Sequence, residues 1–161
     1  MSQESRAFRN ALGHFATGVC VVTAQGADGE EVGVTVNSFA SVSLDPPLVL
    51  WSLDRVSDRV PLFMAADHFI VNVLDGRSQH VSHRLSRKGE RSIGDEPCAK
   101  GVTTLPILKD ALAHFECKVE ARHDGGDHVI FVGRVLSFDH KEDGDPLLFY
   151  RGRYRSLSGE T

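Results

Sequence analysis

The most constraining feature of the sequence is an alternation of apolar and polar residues in two neighbouring segments. In 113–122, AHFECKVEAR, Phe115 and Cys117 alternate with charged residues, which is typical of a strand with one buried and one solvated face. The segment 128–140, HVIFVGRVLSFDH, is a second and longer strand pattern, and Gly125-Gly126 lies between the two. Glycines between two strand patterns are a hairpin signature. The sequence therefore predicts a long antiparallel hairpin in a half-exposed sheet.

Other apolar runs are short and are bounded by glycine or proline. They predict strands in GVCVVTA, EVGVTVNSF, LDPPLVLWSL, HFIVNVL and PLLFYRGRYRSL, at 18–24, 31–39, 44–53, 68–74 and 146–157. A glycine inside the long second strand, Gly133, indicates a bulge or a close approach of another group. Six or more short strands with few helices predict a mainly β fold, a small barrel with helical decoration. The length of 161 residues is that of one domain, 1–161.

Helical segments are few and short. Apolar residues at helical spacing predict helices in 4–15, 57–67 and 78–88. The first is amphipathic through Phe8, Leu12 and Phe15. Ser57 or Asp58 is expected to cap the second and Ser78 the third, because such side chains accept hydrogen bonds from the first turn of a helix. Residues 86–110 are polar and irregular, and they predict a long functional or mobile loop.

Charge and cysteine content narrow the class of protein. The chain carries 18 basic and 22 acidic residues, a net charge of −4, so neither a nucleic acid nor a membrane surface is an expected partner. Cys20, Cys98 and Cys117 form no Cys-x-x-Cys pair, which argues against a disulfide framework or a structural zinc site. Cys20 and Cys117 fall in apolar runs as small hydrophobes. The polar N-terminus lacks a signal-peptide pattern, and the expected compartment is the cytoplasm.

The polar face of the strand in 31–39 is the first candidate for a binding site. Thr35 and Asn37 share one side of the strand and Ser38 follows. A solvated strand face explains them, and so does a row of donors along the edge of a flavin ring, which Gly33 would allow to approach closely. Ser57, at the predicted start of a helix, fits either a cap or a phosphate contact.

The helix predicted in 78–88 carries a histidine pair and a basic patch. His80 and His83 are three residues apart, a spacing compatible with a metal pair, but the sequence offers no obvious third ligand. The basic residues are Arg84, Arg87 and Lys88. They fit an anion such as phosphate, or a solvated basic face equally well.

The hairpin turn itself, HDGGDH at 123–128, allows three interpretations. The glycines alone make a turn. A metal site would use His123, Asp127 and His128, but adjacent residues of an extended chain point to opposite faces, so joint ligation is awkward. Contact of His128 with a bound ligand accounts for the aspartate and the histidine that a bare turn does not need.

Five segments together resemble the short-chain flavin reductases of the FMN-binding split-barrel fold, which are the reductase partners of two-component flavin monooxygenases. The segments are FRNALGHFATGVCVVTA, GVTVNSFASVSLDPPLVLWSL, FIVNVL, GGDHVIFVGRV and PLLFYRGRY. The most specific elements are SFASVSLDPPLV and GDH in that order. The resemblance implies a split β-barrel homodimer that transfers hydride from NADH or NADPH to FMN or FAD. It also implies that reduced flavin leaves for a monooxygenase component.

The resemblance implies a set of site residues as well. The segment that lines the flavin ring is Thr35, Val36, Asn37 and Ser38. The segment near the ribityl chain and phosphate is Ser52, Leu53 and Ser57, and the basic helix meets the phosphate through Arg84. The motif linked to nicotinamide binding is Gly126, Asp127 and His128, with His128 as the catalytic residue. No metal ligand is implied.

The sequence departs from the family after the basic helix. KGERSIGDEP lacks the aromatic residue that is usual there, and Leu85 stands where phenylalanine is common, so the choice between FMN and FAD stays open. Two alternatives also stay open. One is a flavin-binding protein of the same fold without nicotinamide activity, and the other is a reductase with a non-flavin final acceptor such as a cobalt corrinoid. The absence of a catalytic triad fits flavin reduction, because hydride transfer is the chemistry of the cofactors themselves.

Overall fold

The computed structural model of the protein describes residues 2–158. The helices are α1 (Gln3–Leu12), α2 (Val60–Ala65) and α3 (Gln79–Leu85), and a 3₁₀ turn at Gly76–Ser78 precedes α3. The first six strands are β1 (Thr17–Gly18), β2 (Cys20–Gln25), β3 (Glu31–Val36), β4 (Ala40–Leu44), β5 (Pro47–Asp54) and β6 (His68–Val73). The other six are β7 (Cys98–Lys100), β8 (Pro106–Leu108), β9 (Ala113–Gly125), β10 (His128–His140), β11 (Leu148–Tyr150) and β12 (Arg153–Arg155).

The central layer is a seven-stranded antiparallel sheet in the order β3-β2-β6-β9-β10-β5-β4. A three-stranded sheet, β1-β11-β12, and the small hairpin β7-β8 complete it. The arrangement is compatible with a split barrel, and the mainly β fold with three short helices confirms the predicted class. Among residues 2–158, no helix has the length and apolar character needed to cross a membrane.

Aromatic packing fixes how β5 lies on β10. Trp51 and Phe131 face each other across the two strands and stack with their ring centroids 4.6 Å apart. Phe63 from α2 and Phe69 from β6 meet the edge of the indole at 5.0 and 5.7 Å. All four rings are buried, and such pairs add to the burial energy of their area. Because side chains alternate along a strand, fixing Trp51 inward turns Ser52 to the opposite face of β5.

The long hairpin β9-β10 forms as predicted, and Gly133 is both a bulge and a close approach. The register of β10 against β9 shifts between Val132 and Gly133. A Cβ at Gly133 would lie 2.4 Å from Cζ of Phe69 and 2.9 Å from Cβ of Cys117. Cys20 and Cys117 are buried hydrophobes, as expected, and burial raises the pKa of both thiols to about 12.

The helix ends differ from the predictions. The first helix stops at Leu12, three residues early, and no residue on it is buried. The second begins at Val60 with Arg59 as its N-cap, so neither Ser57 nor Asp58 caps it. Ser78 makes no capping hydrogen bond to α3, and the carboxylate of Asp75 caps the preceding 3₁₀ turn instead. The predicted caps assumed that each helix begins directly after the capping residue. In the structure, turn residues precede α2, and the 3₁₀ turn precedes α3.

The segment 86–110 is irregular but well packed. It contains the β7-β8 hairpin, and Ile93, Leu105 and Ile107 are buried. The buried carboxylate of Glu116 on β9 accepts hydrogen bonds from the backbone N–H and the hydroxyl of Thr103 at 2.8 and 2.7 Å. These contacts tie the segment to the central sheet, so it is a packed layer rather than a free loop.

Candidate functional site

A cleft of about 360 Å³ lies where the end of β3 meets the end of β5. Its walls are the turn after β3, the β5–α2 connection, the segment after α3, and the start of β10. It brings together eight of the eleven residues predicted from the sequence, namely Thr35, Val36, Asn37, Ser38, Ser52, Leu53, Ser57 and His128. Residues far apart in the chain therefore meet at one opening.

One wall of the cleft is polar and rigid. The Ser38 hydroxyl donates to the carbonyl of Ser52 at 3.1 Å and accepts from its N–H at 2.9 Å, which locks the turn after β3 onto β5. The Thr35 hydroxyl donates to the carbonyl of Ser82 on α3 at 2.7 Å. Among residues 2–158, no hydrogen bond engages the exposed Asn37 amide, which has both a donor and an acceptor to offer a ligand.

The predicted role of Gly33 in ligand approach is wrong. Gly33 is buried on the protein side of β3, where an added Cβ would lie 2.8 Å from Cδ1 of Ile93, 3.0 Å from Leu85 and 3.1 Å from Val21. The glycine is required by the packing of α3 and the 86–110 segment against the sheet, because these groups approach the backbone itself. Spacing along a strand does not tell which neighbour comes close.

The other end of the cleft is suited to an anion. Ser57, Ser86 and Lys88 line it. The Ser86 hydroxyl donates to the carbonyl of His83 at 2.9 Å, which leaves Ser57 and Lys88 as the donors for an anion. The two carboxylates nearby are engaged by the protein: Asp54 accepts from the N–H of Val56, and Asp58 from Arg59 and the N–H of Gly89. No salt bridge involves Lys88 within residues 2–158, so its positive charge remains available to a ligand.

Arg84 does not reach this cleft. Its guanidinium donates to Glu96 at 2.8 Å and to the carbonyl groups of Ser92 and Ile93 at 2.7 and 3.2 Å. It fastens the end of α3 to the 86–110 segment. Lys88, four residues later, occupies the position at the cleft that the sequence pattern suggested for Arg84.

The β9-β10 turn is fastened to the rim of the cleft. Gly126 has a φ of +70° in a two-residue turn, a conformation that glycine adopts without strain. Arg55, just after β5, donates to the carbonyl of Gly126 and pairs with the carboxylate of Asp124. The N–H of Arg55 also donates to the carbonyl of Asp127 at 2.9 Å. Gly126 and Asp127 lie outside the lining but hold His128, which begins β10, at the opening.

Asp127 and His128 form a hydrogen-bonded pair. The imidazole Nδ1 lies 2.7 Å from Oδ1 of Asp127, and this hydrogen bond, followed by attraction to the imidazole charge, lowers the pKa of Asp127 below its usual range. An ionised carboxylate only accepts hydrogen bonds, so Nδ1 carries the proton. Nδ1 is therefore occupied by Asp127, and Nε2 is the ring nitrogen left to meet a ligand.

A second cavity of about 250 Å³ continues the cleft behind β3. It shares Thr35, Val36, Asn37 and Ser86 with the cleft, and its floor is formed by Phe149 and Tyr154 from β11 and β12. The Tyr154 hydroxyl lies 2.7 Å from the hydroxyl of Ser82. Neither aromatic residue was predicted to line the site, although both lie in the PLLFYRGRY segment, because their place beside α3 depends on contacts between distant parts of the chain.

The side chains present fit a flavin nucleotide. The Asn37 amide and the adjoining backbone can bind ring carbonyl and N–H groups, and the aromatic floor suits a flat apolar ring. Ser57 supplies a hydroxyl donor and Lys88 a cation for a phosphate at the far end. A metal ion has no such set: within residues 2–158, no three His, Cys, Asp or Glu side chains converge.

Comparisons with known proteins agree with this chemistry. The chain is 49% identical over 156 residues to an FMN reductase (NADH) of Agrobacterium fabrum, covering 97% of this chain and 88% of the relative. It is 38% identical over 154 residues to the reductase subunit of a flavin-dependent monooxygenase of Rhodococcus jostii, covering 96% of this chain and 78% of the relative.

A solved structure is also very similar. It is an NADH:FAD oxidoreductase of Streptomyces globisporus in complex with NAD and FAD fragments, with a TM-score of 0.90 and 32% identity, covering 98% of this chain and 96% of the other. Residues 12–158 match the flavin reductase like domain. The chain therefore belongs to the flavin reductase family.

Proposed function

We propose that this chain is an NAD(P)H-dependent flavin reductase that transfers hydride from a reduced nicotinamide cofactor to FMN or FAD and supplies the reduced flavin to a partner monooxygenase. The observation that carries the proposal is the cleft itself. A polar wall at Asn37, an anion-binding end at Lys88 and the His128 imidazole at the rim occur together in one opening. Family membership and the names of the relatives support the same reaction.

The protein's part in this reaction is to bind and orient. Hydride transfer between nicotinamide and flavin is the chemistry that the two cofactors supply when both are bound. Asn37 would hold the edge of the ring, Lys88 with Ser57 would hold the phosphate, and the hydrogen bonds between Ser38 and Ser52 keep the wall in place. Fixed positions remove the entropy cost of aligning two reactants.

His128 is proposed as the nicotinamide contact, with Asp127 as its orienting partner. Because Asp127 engages Nδ1, Nε2 is free to accept a hydrogen bond from the carboxamide NH₂ of the nicotinamide. Arg55 holds the turn through the carbonyl groups of Gly126 and Asp127. A flavin-binding protein without nicotinamide activity would not need this arrangement, which is why the reductase is favoured over that alternative.

The relatives favour particular cofactors and a location. We propose NADH as the hydride donor and FMN as the first acceptor to test, following the relative that is 49% identical. Residues 1–161 are proposed to act as one domain. The cytoplasm is the proposed location, supported by the free thiols of Cys20, Cys98 and Cys117.

Exposed apolar side chains favour a homodimer. Phe8 and Phe15 near α1 are 65% and 80% exposed, Leu44 on β4 is 95% exposed, and Phe138 on β10 is 67% exposed. Apolar side chains that gather on a surface mark interaction sites. We propose that a second copy of the chain covers them, as in the reductase family that the sequence resembles.

Steady-state kinetics of the purified protein test the proposal. NADH and NADPH oxidation is followed with FMN, FAD or riboflavin as acceptor, under air and without oxygen. Stoichiometric formation of reduced flavin without oxygen is the expected result. Flavin binding without nicotinamide oxidation would favour the binding-protein alternative, whereas oxidation that needs a cobalt corrinoid to turn over would favour a different acceptor.

A further inference from the structure

Arg59 is a buried cation whose guanidinium is committed almost entirely to backbone carbonyl groups. The residue is 3% exposed. Its Nε donates to the carbonyl of Gly33 on β3 at 3.0 Å. Its Nη2 donates to the carbonyl groups that follow α3, those of Leu85 at 3.1 Å, Arg87 at 2.9 Å and Glu90 at 2.7 Å. The Arg59 side chain therefore links β3 to three carbonyl groups within residues 85–90.

These carbonyl groups need such a partner. The helix α3 ends at Leu85, and the last carbonyl groups of a helix lack partners within it and carry partial negative charge. Residues 86–90 form turns, in which the N–H of Glu90 donates to the carbonyl of Arg87 at 3.3 Å. Asp58, next to Arg59, adds a fourth tie by accepting from the N–H of Gly89 at 3.0 Å. Asp58 and Arg59 therefore hold residues 85–90 in place by hydrogen bonds.

The same segment carries the groups at the anion-binding end of the cleft. Ser86 and Lys88 are exposed and line the cleft opposite Ser57. We propose that Arg59 is a positioning residue for the flavin phosphate: by holding the 85–90 backbone, it sets Lys88 where a phosphate is bound. The inference rests on the proposed flavin-binding function, and it makes Arg59 responsible for preferring phosphorylated flavins over riboflavin.

Lysine cannot replace arginine in this role. A guanidinium presents five N–H donors in a rigid plane, and here three nitrogen atoms reach separate acceptors. An ammonium group keeps the charge but donates from a single atom. Arg59→Lys therefore retains the positive charge but loses the separate hydrogen bonds of the guanidinium. The variant thus distinguishes positioning of the 85–90 backbone from an effect of charge alone.

The test compares two ligands that differ only in the phosphate. Dissociation constants for FMN and riboflavin are measured for the unsubstituted protein, Arg59→Lys, Lys88→Met and the double variant. For Arg59→Lys we expect the FMN constant to rise about tenfold, equivalent to about 1.4 kcal/mol, and the riboflavin constant to change by less than about twofold. Arg77→Lys, a surface ion-pair residue outside the cleft, is the matched control and should change neither.

The double variant shows whether Arg59 acts through Lys88. If it does, the loss of FMN affinity in the double variant is smaller than the product of the two single losses, because residues coupled through one backbone segment are not additive. Hydrogen exchange of the ligand-free Arg59→Lys protein should increase in 86–90 and stay unchanged in β5 and β10.

Several outcomes would overturn the inference. Equal loss of FMN and riboflavin affinity would make Arg59 a residue of the whole cleft, strict additivity would separate it from Lys88, and failure of Arg59→Lys to fold would make it a residue of the core. Failure of the proposed function looks different, since the unsubstituted protein would then bind neither flavin.

Discussion

At the residue scale, the Asp127–His128 pair is the arrangement that we propose distinguishes a reductase from a flavin carrier. Asp127 is fully exposed and costs little to ionise, yet it holds Nδ1 at 2.7 Å. The hydrogen bond keeps a proton on Nδ1 and leaves Nε2 for a ligand, since the tautomer of an imidazole follows the hydrogen bond made by its other nitrogen. We therefore expect both residues to contribute to nicotinamide binding, although only His128 lines the cleft.

Replacement of His128 by alanine is expected to impair nicotinamide binding. Loss of one hydrogen bond costs about 0.5–1.5 kcal/mol, so the KM for NADH should rise roughly three- to tenfold. Flavin affinity should move far less, because Asn37, Ser57 and Lys88 remain. Steady-state kinetics at saturating flavin check this, with His123→Ala in the same hairpin as a control. A His128→Ala enzyme with unchanged KM and turnover would remove His128 from the site.

A second residue-scale prediction concerns stability in acid. Hydrogen bonds from Arg77 lower the pKa of the buried Asp75 carboxylate from 3.8 to about 2. Because the folded-state pKa is depressed, this stabilisation is complete above about pH 4 and is lost as the pH falls towards 2. Asp75→Asn should therefore flatten the loss of stability between pH 4 and 2 in urea unfolding curves, while the exposed Asp143→Asn should leave the slope as it is. Equal slopes for all three proteins would contradict the assignment.

At the scale of elements, the sequence predicted strands better than it predicted the ends of helices. Alternation in 113–122 and the glycines at 125 and 126 determine a hairpin locally, so β9 and β10 were predictable. Ser57 and Ser78 are good capping residues that make no cap, because tertiary contacts set where α2 and α3 begin. Local propensity is a weak guide wherever such contacts compete with it.

The residues of the candidate site were likewise predictable only where the signal lies within a short stretch of sequence. The polar stretch around Asn37 and the turn before His128 carry their signals within a few residues. Arg59 and Tyr154 carry none, since their roles come from partners 26 and 72 residues away in the chain. Arg84 was assigned to the phosphate by the family resemblance, and only the fold shows that Glu96 engages it.

The bulge at Gly133 in β10 leads to a prediction about the stability of the fold. Gly133→Ala places a methyl group where Phe69 and Cys117 already lie, and overpacking of a core typically costs 1–3 kcal/mol, so a loss of about 2 kcal/mol is expected. Thermal melts followed by circular dichroism measure it. Gly18→Ala is the control, because nothing lies within 4 Å of the added carbon. Equal melting temperatures for the two variants would show that β10 can shift to make room.

For the whole molecule, the unpartnered apolar side chains predict an assembly. Sedimentation equilibrium at micromolar concentration should give twice the mass of one chain. Phe138→Glu puts a charge on an exposed apolar strand surface and should shift the protein towards the monomer, whereas Met64→Glu on α2, 44% exposed, should not. A monomer at all concentrations that still reduces flavin would exclude the homodimer.

The packing of Trp51 has an optical consequence. It is the only tryptophan in the chain. It is buried in β5 next to Ser52, which lines the cleft. Indole emission overlaps flavin absorption, so a flavin bound beside β5 accepts the excitation energy of Trp51 and quenches its emission. Each chain thus contains a single intrinsic fluorophore, one residue away from the cleft residue Ser52. Titrations that follow its intensity count occupied clefts directly, without a label and without turnover.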